Sequence, residues 1–112
     1  MPYSVIQVAQ VPASVDEHPA SSPWDRRLND ALGITAFGLY QVELPPDGET
    51  VPHDHRDDGA EDAYVLVGGS AALLVDGDQV PLRTGDAAAV TPESRRWIRA
   101  GSDGCTIIAV CA

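Results

Sequence analysis

The sequence predicts an all-β domain in which short antiparallel strands form a sandwich or a barrel, with one short helix near the N-terminus. From Ile34 onward, short apolar segments alternate with turn signals of glycine, proline and aspartate about every 8–12 residues. No helical segment separates these strands, as a parallel βαβ arrangement would require. A chain of 112 residues has room for one hydrophobic core and not for two, so we predict a single domain.

The first part of the chain is predicted to pack on this β-structure. We divide the chain into residues 1–33, with a strand, a loop and a short helix, and residues 34–112, which form the barrel strands. Residues 3–11 alternate loosely and are rich in valine and isoleucine, which favours a strand. Residues 12–22 are polar and contain turn formers, so we predict a loop there.

The short helix is predicted between a start signal and a stop signal. Residues 22–25, Ser-Pro-Trp-Asp, offer a serine cap, a proline at the first helical position and an acid in the first turn. Gly33 supplies the stop. Three apolar residues at i, i+4 and i+8 would form one packing stripe on this helix: Trp24, Leu28 and Leu32.

Apolar segments bounded by turn residues define the predicted strands. They lie at residues 34–44, 64–67, 71–75, 80–82, 87–91, 97–99 and 105–110. The strongest hairpin signal is Asp76-Gly77-Asp78, because aspartate followed by glycine suits a two-residue turn with positive φ.

The charge of the chain excludes two classes of partner. Seven arginines, no lysine and seventeen acidic residues give a formal net charge of −10. A surface this acidic repels phosphate backbones and anionic lipid, so we expect neither nucleic acid nor a membrane as partner.

The sequence favours a cytoplasmic protein. No apolar run approaches the roughly 18–20 residues that span a bilayer, and the N-terminus lacks the basic start and apolar core of a signal peptide. Cys105 and Cys111 fall six residues apart in one predicted strand, about 20 Å from each other. That distance excludes a disulfide within the strand, and we expect both to be buried as small apolar side chains.

Two histidines and a carboxylate suggest a metal site. In an extended segment His53 and His55 point to the same side, and Glu61 follows closely. Two imidazoles and one carboxylate suit Fe, Zn, Ni, Mn or Cu without choosing among them. The alternative is a solvated turn, since the stretch from His53 to Gly59 is as polar as a loop.

The spacing of these residues resembles a known family. Gly48-x4-His53-x-His55-x5-Glu61-x6-Gly68 is similar to the first motif of the cupin superfamily, and Gly85-Asp86 followed by Pro92 is similar to the start of the second. The resemblance covers about residues 34–112 and implies a small jelly-roll β-barrel.

The resemblance also implies a ligand set and shows where this chain departs from it. Metal-binding members supply two histidines and a glutamate from the first motif, here His53, His55 and Glu61, and a third histidine from the second motif. Trp97 stands where that histidine is expected, and a shift of one residue would place Arg96 or Ile98 there. The remaining histidine, His18, is far away in sequence. Three outcomes stay open: a three-ligand site, a weak or vestigial site, or a metal-free apolar pocket.

Further residues are candidates for the pocket wall. They are Trp97, Arg95, Arg99, Gln41 and Tyr64. By the two-residue period of a strand, Arg95, Trp97 and Arg99 share one face, where the arginines could bind a substrate carboxylate. The alternative is that these arginines form surface ion pairs with Asp57, Asp58 or Asp62.

Two classes of function remain open from the sequence. The chain is either a metal-dependent enzyme, of oxygenase, isomerase or cyclase type, acting on a small organic molecule, or a small-molecule-binding protein without turnover. No catalytic residue is identified. The resemblance further implies a homodimer, and residues 3–11 are the candidate contact because open strand edges invite pairing.

Overall fold

The computed structural model describes residues 2–15 and 20–112 and confirms the all-β class. The strands are β1 (Asp25–Arg27), β2 (Gly38–Leu44), β3 (Asp62–Val75), β4 (Asp78–Arg83), β5 (Ala87–Val90) and β6 (Arg96–Cys111). A 3-10 turn (Val8–Gln10) and a one-turn helix α1 (Asn29–Leu32) complete the described elements. The sheet is antiparallel with the order β1-β2-β6-β3-β4, and β5 pairs with β3. Within the described part of the chain, no helix is long and apolar enough to cross a membrane.

Glycines bend the long strand β3 where the sequence predicted a break. Residues 64–67 and 71–75, expected as two strands, belong to one strand whose register with β6 shifts on both sides of Gly68 and Gly69. Gly69 has φ of +74°, and a Cβ there would overlap the carbonyl oxygen of Gly104 on β6. Only glycine permits this close approach, so the ladder can bend here without breaking.

The bend folds the β3–β6 ladder back on itself. The ladder runs from the pair Asp62–Cys111 to the pair Val75–Arg96, which are its opposite ends. Even so, Arg96 Nε lies 3.9 Å from Asp62 Oδ2. The two halves of the ladder therefore face each other as the walls of a barrel. We call the end where Asp62 meets Arg96 the open end, and the end at Gly68 and Gly69 the folded end.

The hydrophobic core lies between these walls. Leu66, Ile98 and Ile107 are each 1% exposed. They occupy alternate, inward-facing positions of β3 and β6, as the two-residue period of a strand dictates. The rest of the cluster comes from the same strands and their neighbours: Val42, Leu44, Tyr64, Ala71, Leu73, Leu82, Val90, Ala100 and Cys105.

The strand predicted for residues 3–11 is wrong. The structure has a 3-10 turn at Val8–Gln10 and no strand in residues 2–7. Ser4 Oγ donates to the carbonyl of Leu32, and the carbonyl of Val8 accepts from Arg26 Nη1. The segment is held by side-chain contacts and has no strand ladder. Residues 2–11 therefore offer no open strand edge for the expected pairing of two copies, and the homodimer stays a prediction.

The predicted helix start is also wrong, although its stop is confirmed. Ser22 Oγ donates to Asp25 Oδ1 at 2.8 Å, so serine and aspartate form a turn that leads into β1. The helix is shortened to α1, which ends at Gly33 with φ of +76°. Leu28 is buried, whereas Trp24 is 41% exposed, so the expected apolar stripe does not form.

The remaining strand predictions hold with shifted bounds. β2 begins at Gly38 and not at residue 34, and residues 97–99 and 105–110 belong to the single strand β6. The hairpin at Asp76-Gly77 is confirmed, since Asp76 and Gly77 have φ of 49° and 85°, as a type I′ turn requires.

Candidate functional site

Two histidines and an aspartate converge at the open end of the barrel. His53, His55 and Asp62 each offer one ligand atom, and these atoms lie within 4.8 Å of one another. Asp62 Oδ2 is 3.5 Å from His53 Nε2 and 3.1 Å from His55 Nε2. The two imidazole rings meet edge to face with centroids 5.0 Å apart. The expected same-side placement of the two histidines is therefore present.

Backbone hydrogen bonds to Arg96, the first residue of β6, and to Pro92 just before this strand hold the two histidines in place. The His53 amide donates to the Arg96 carbonyl at 3.1 Å, and the Arg96 amide donates back at 2.9 Å. The His55 amide donates to the Pro92 carbonyl at 2.8 Å. This short extended segment keeps the two-residue period, so both rings face the barrel interior.

The carboxylate of the cluster is Asp62 and not Glu61. Glu61 is exposed, and its backbone pairs in both directions with Ala112. Asp62 is buried and shares the inward face of β3 with Tyr64 and Leu66. The alternation of a strand sends neighbouring side chains to opposite faces, so a difference of one residue decides which carboxylate reaches the histidines.

The second nitrogen of each imidazole is occupied by an acceptor. His53 Nδ1 lies 2.9 Å from the Val51 carbonyl, and His55 Nδ1 lies 3.2 Å from Asp58 Oδ1. A ring that donates from Nδ1 presents the lone pair of Nε2 to a metal, which is how metal-ligating histidines are usually oriented. The donor set and its outer partners therefore fit a divalent cation.

Asp62 is held as a carboxylate. Burial opposes its ionisation, but hydrogen bonds from His53, Cys111 and Tyr64, together with the charge of His55, hold its pKa far below the usual range. Tyr64 Oη donates to Asp62 Oδ2 at 3.0 Å. In turn, the hydrogen bond to Asp62 raises the pKa of His53 against the opposing effect of burial.

The pKa values of two neighbours of Asp62 are raised, whereas that of Asp62 is lowered. Burial, and then the nearby Asp62 charge, raises the pKa of Tyr64 well above its usual range. Burial and the hydrogen bond to Asp62 raise the pKa of the Cys111 thiol to about 12. Both groups remain neutral donors at neutral pH. Cys111 and Cys105 are free, as expected, but only Cys105 is buried.

Arg96 occupies the place where a histidine of the second motif was sought. It is 0% exposed and projects inward, whereas Trp97 alternates to the outer face. Its Nη2 donates to the carbonyls of Val90 and Thr91. Its Nε and Nη1 have no hydrogen-bond partner in the described part of the chain. A guanidinium cannot ligate a metal, so residues 2–15 and 20–112 offer three ligands; His18 lies outside the described residues.

A cavity of about 330 Å³ adjoins the cluster. Its walls come from β1, β2, β3, β6 and the histidine segment, with Asp25, Arg27, Tyr40, Val42 and Tyr64 among the lining residues. Burial raises the pKa of Asp25, although hydrogen bonds from Ser22 oppose this. Asp25 and Arg27 were not predicted as site residues, because the predicted helix included them. The charged run at residues 25–27 has no apolar alternation that would indicate a strand.

The structure places four of the five pocket candidates elsewhere. Tyr64 lines the cavity, but Arg95, Trp97, Arg99 and Gln41 do not. Arg95 is exposed, and Arg99 Nε donates to Glu49 Oε1 at 2.8 Å. On β6 the inward positions are Arg96 and Ile98, which sends their neighbours outward. The expected arginine face is therefore an outer surface, and its ion pair is with Glu49.

Comparison with known proteins shows which family of barrels this chain resembles. The sequence profile of the cupin domain matches residues 40–111. A cupin protein from Bacteroides fragilis has a TM-score of 0.74 and 25% identity, over 99% of this chain and 82% of that one. A sugar phosphate isomerase from Silicibacter pomeroyi has a TM-score of 0.75 and 18% identity, over 96% and 74%. KdgF from Halomonas sp. has a TM-score of 0.62 and 18% identity, over 89% and 91%. No curated protein matches the sequence.

Proposed function

The chain belongs to the cupin superfamily, and we propose that it holds a divalent metal on His53, His55 and Asp62 and acts on a small organic molecule in the adjoining cavity. The observation that carries this proposal is the convergence of two imidazole Nε2 atoms on one buried carboxylate, with each Nδ1 already facing an acceptor. Three protein ligands leave positions open for water and for a bound molecule.

The chemistry we propose is proton transfer, as in an isomerase or a cyclase. When bound, the metal would supply Lewis acidity to an oxygen of the ligand. Asp25 faces the same cavity from β1, and Ser22 Oγ fixes its carboxylate at 2.8 Å. A carboxyl in this place can take a proton from a bound molecule and return it at another atom, and its raised pKa suits that exchange. The fold also serves the sugar phosphate isomerase from Silicibacter pomeroyi.

One observation favours a second candidate, a binding protein without turnover. The Arg96 guanidinium lies 3.9 Å from Asp62 Oδ2 and is fully buried, so a fixed cation already neutralises part of the carboxylate charge. Repulsion from that cation weakens the binding of a second cation at the same oxygen. In this case the cavity would bind its ligand without a metal.

Metal content separates the two candidates. We would purify the wild-type protein, determine its metals by elemental analysis, and titrate the metal-free protein with Zn²⁺ and Mn²⁺ by calorimetry. Asp62→Asn should lower the metal affinity by about 100-fold or more, because it removes a charged ligand. Glu61→Gln is the matched control, since it removes a neighbouring carboxylate from the outer surface.

Each outcome of this experiment is decisive. Stoichiometric metal in the wild type and in Glu61→Gln, together with its loss in Asp62→Asn and in a His53→Ala, His55→Ala double variant, supports the metal site. Equal trace metal in all four proteins contradicts it and leaves the metal-free binding protein.

A further inference from the structure

Strand β1 presents one cation to the cavity, at its rim. Asp25 and Arg27 are two residues apart on β1 and both line the cavity, opposite Val42 and Tyr40 on β2. We propose that Arg27 binds an anionic group of the ligand, a carboxylate or a phosphate, while the rest of the molecule extends toward the histidines. This inference rests on the proposed function, which places the ligand in the cavity beside the histidines.

The guanidinium of Arg27 is available for such a contact. Within residues 2–15 and 20–112, the guanidinium of Arg27 has one ion pair, with Asp30 at 3.7 Å, and makes no side-chain hydrogen bond. The Arg27 side chain is 40% exposed and that of Asp30 is 98% exposed, so water screens the pair and it holds the guanidinium weakly. The neighbouring Arg26 differs, because its Nη1 donates to the Val8 carbonyl at 3.2 Å.

The charges around the cavity fit an anion once a metal is bound. Among the described residues beside the cavity, Asp25, Asp58 and Asp62 contribute three negative charges when all are ionised, and Arg27 with the buried Arg96 contributes two positive charges. A divalent ion on the histidines changes the balance from one negative to one positive charge. The cavity then attracts an anionic ligand, in a protein whose net charge otherwise repels anions.

The size and geometry of the cavity define the ligand further. A volume of about 330 Å³ is at the small end for ligand pockets, so the molecule is small. A guanidinium donates two parallel hydrogen bonds to a carboxylate or a phosphate, which would orient the anionic group at the rim. A small hydroxylated acid or a small phosphate ester meets both conditions.

The test compares each anionic probe with a neutral relative that lacks the charge. Lactate is paired with lactamide, and glycerol 3-phosphate with glycerol, each titrated by NMR into the metal-free and the Zn²⁺-loaded protein. We expect one anion to bind more tightly than its neutral partner, and Arg27→Gln to weaken that anion about tenfold. Arg27→Lys should lose part of this affinity, and Arg26→Gln, the matched control, should lose none. Asp30→Asn should tighten binding, because it releases Arg27.

The outcomes separate this inference from the proposed function. A preference for the carboxylate pair or for the phosphate pair identifies the anionic group. Binding in which neither anion is preferred over its neutral partner, or in which Arg27→Gln equals the wild type, overturns the role of Arg27 even if the metal binds. An anion preference that depends on Arg27 in a protein that takes up no metal sustains the inference and overturns the metal site alone.

Discussion

The two ends of the barrel are built on the same strands and differ in what fills them. At the folded end, Leu66 and Ile107 pair across β3 and β6, and both are 1% exposed. At the open end the same strands carry Asp62, Tyr64 and Cys111 inward, beside a cavity of about 330 Å³. Apolar side chains fill space without needing partners, whereas each polar group must find one. Stability is therefore concentrated at one end and chemistry at the other.

The largest expected effect lies at the folded end. Ile107→Ala removes a fully buried side chain from the centre of the core and should lower the free energy of unfolding by about 2–5 kcal/mol. Chemical denaturation followed by circular dichroism measures this loss. The folded fraction of the variant should still bind metal in the wild-type ratio. A loss of metal binding in that fraction would show that the two ends are not independent.

The second expected effect is a change in metal affinity at the open end. Arg96→Met replaces the buried guanidinium beside Asp62 by an apolar side chain and removes a competing cation, so metal affinity should rise by roughly tenfold. Calorimetric titration with Zn²⁺ measures the change. Arg99→Met on the outer face of the same strand is the control and should leave the affinity unaltered. A weaker metal affinity in Arg96→Met would mean that Arg96 supports the site.

A smaller loss of stability than that of Ile107→Ala is expected from one hydrogen bond. Tyr64→Phe removes the hydroxyl that donates to the ionised Asp62 Oδ2 and should cost about 1.5–3 kcal/mol of stability in the metal-free protein. Thermal unfolding with and without Zn²⁺ tests this. A cost larger than that of Ile107→Ala would contradict the assignment of stability to the folded end.

The smallest effect is a pH dependence in the metal-free protein. The pKa of His53 is raised in the folded state, so its contribution to stability is complete below the unfolded value near 6.5 and is lost as pH rises through the folded value. The pKa of Asp62 is lowered, and its contribution is lost only in strong acid. Unfolding free energy should therefore fall gently above pH 6.5, and His53→Gln should flatten this slope. Metal affinity should rise over the same range, because binding requires neutral imidazole. A slope unchanged by His53→Gln would contradict the link to this residue.

The sequence reveals what is local and misses what depends on pairing. The pair His53 and His55 and the turn at Asp76-Gly77 are short patterns whose chemistry does not depend on distant residues. Whether Asp62 or Glu61 faces the histidines depends on where β3 begins to pair with β6. The spacing of the motif does not determine that register. The inward position of Arg96 in place of Trp97 has the same cause.

The N-terminal errors have a different physical reason. Ser22 and Asp25 suit a helix cap, but the same two side chains also bond to each other in a turn before a strand. The pairing of β1 with β2 decides between a helix and a turn that leads into a strand. This pairing is a tertiary contact, which the local sequence does not show. The cavity residues Asp25 and Arg27 were missed for this reason.

The folded-back ladder also determines at which stage of folding the site forms. Asp62 and Arg96 stand at opposite ends of the β3–β6 pairing, so they meet only after the ladder has formed on both sides of Gly69 and closed over the core. A chain with half of this ladder has no assembled site. We expect the ladder to close after the transition state for folding, so that a metal or ligand bound there stabilises the native state and not the transition state. It should therefore slow unfolding while leaving the rate of folding unchanged.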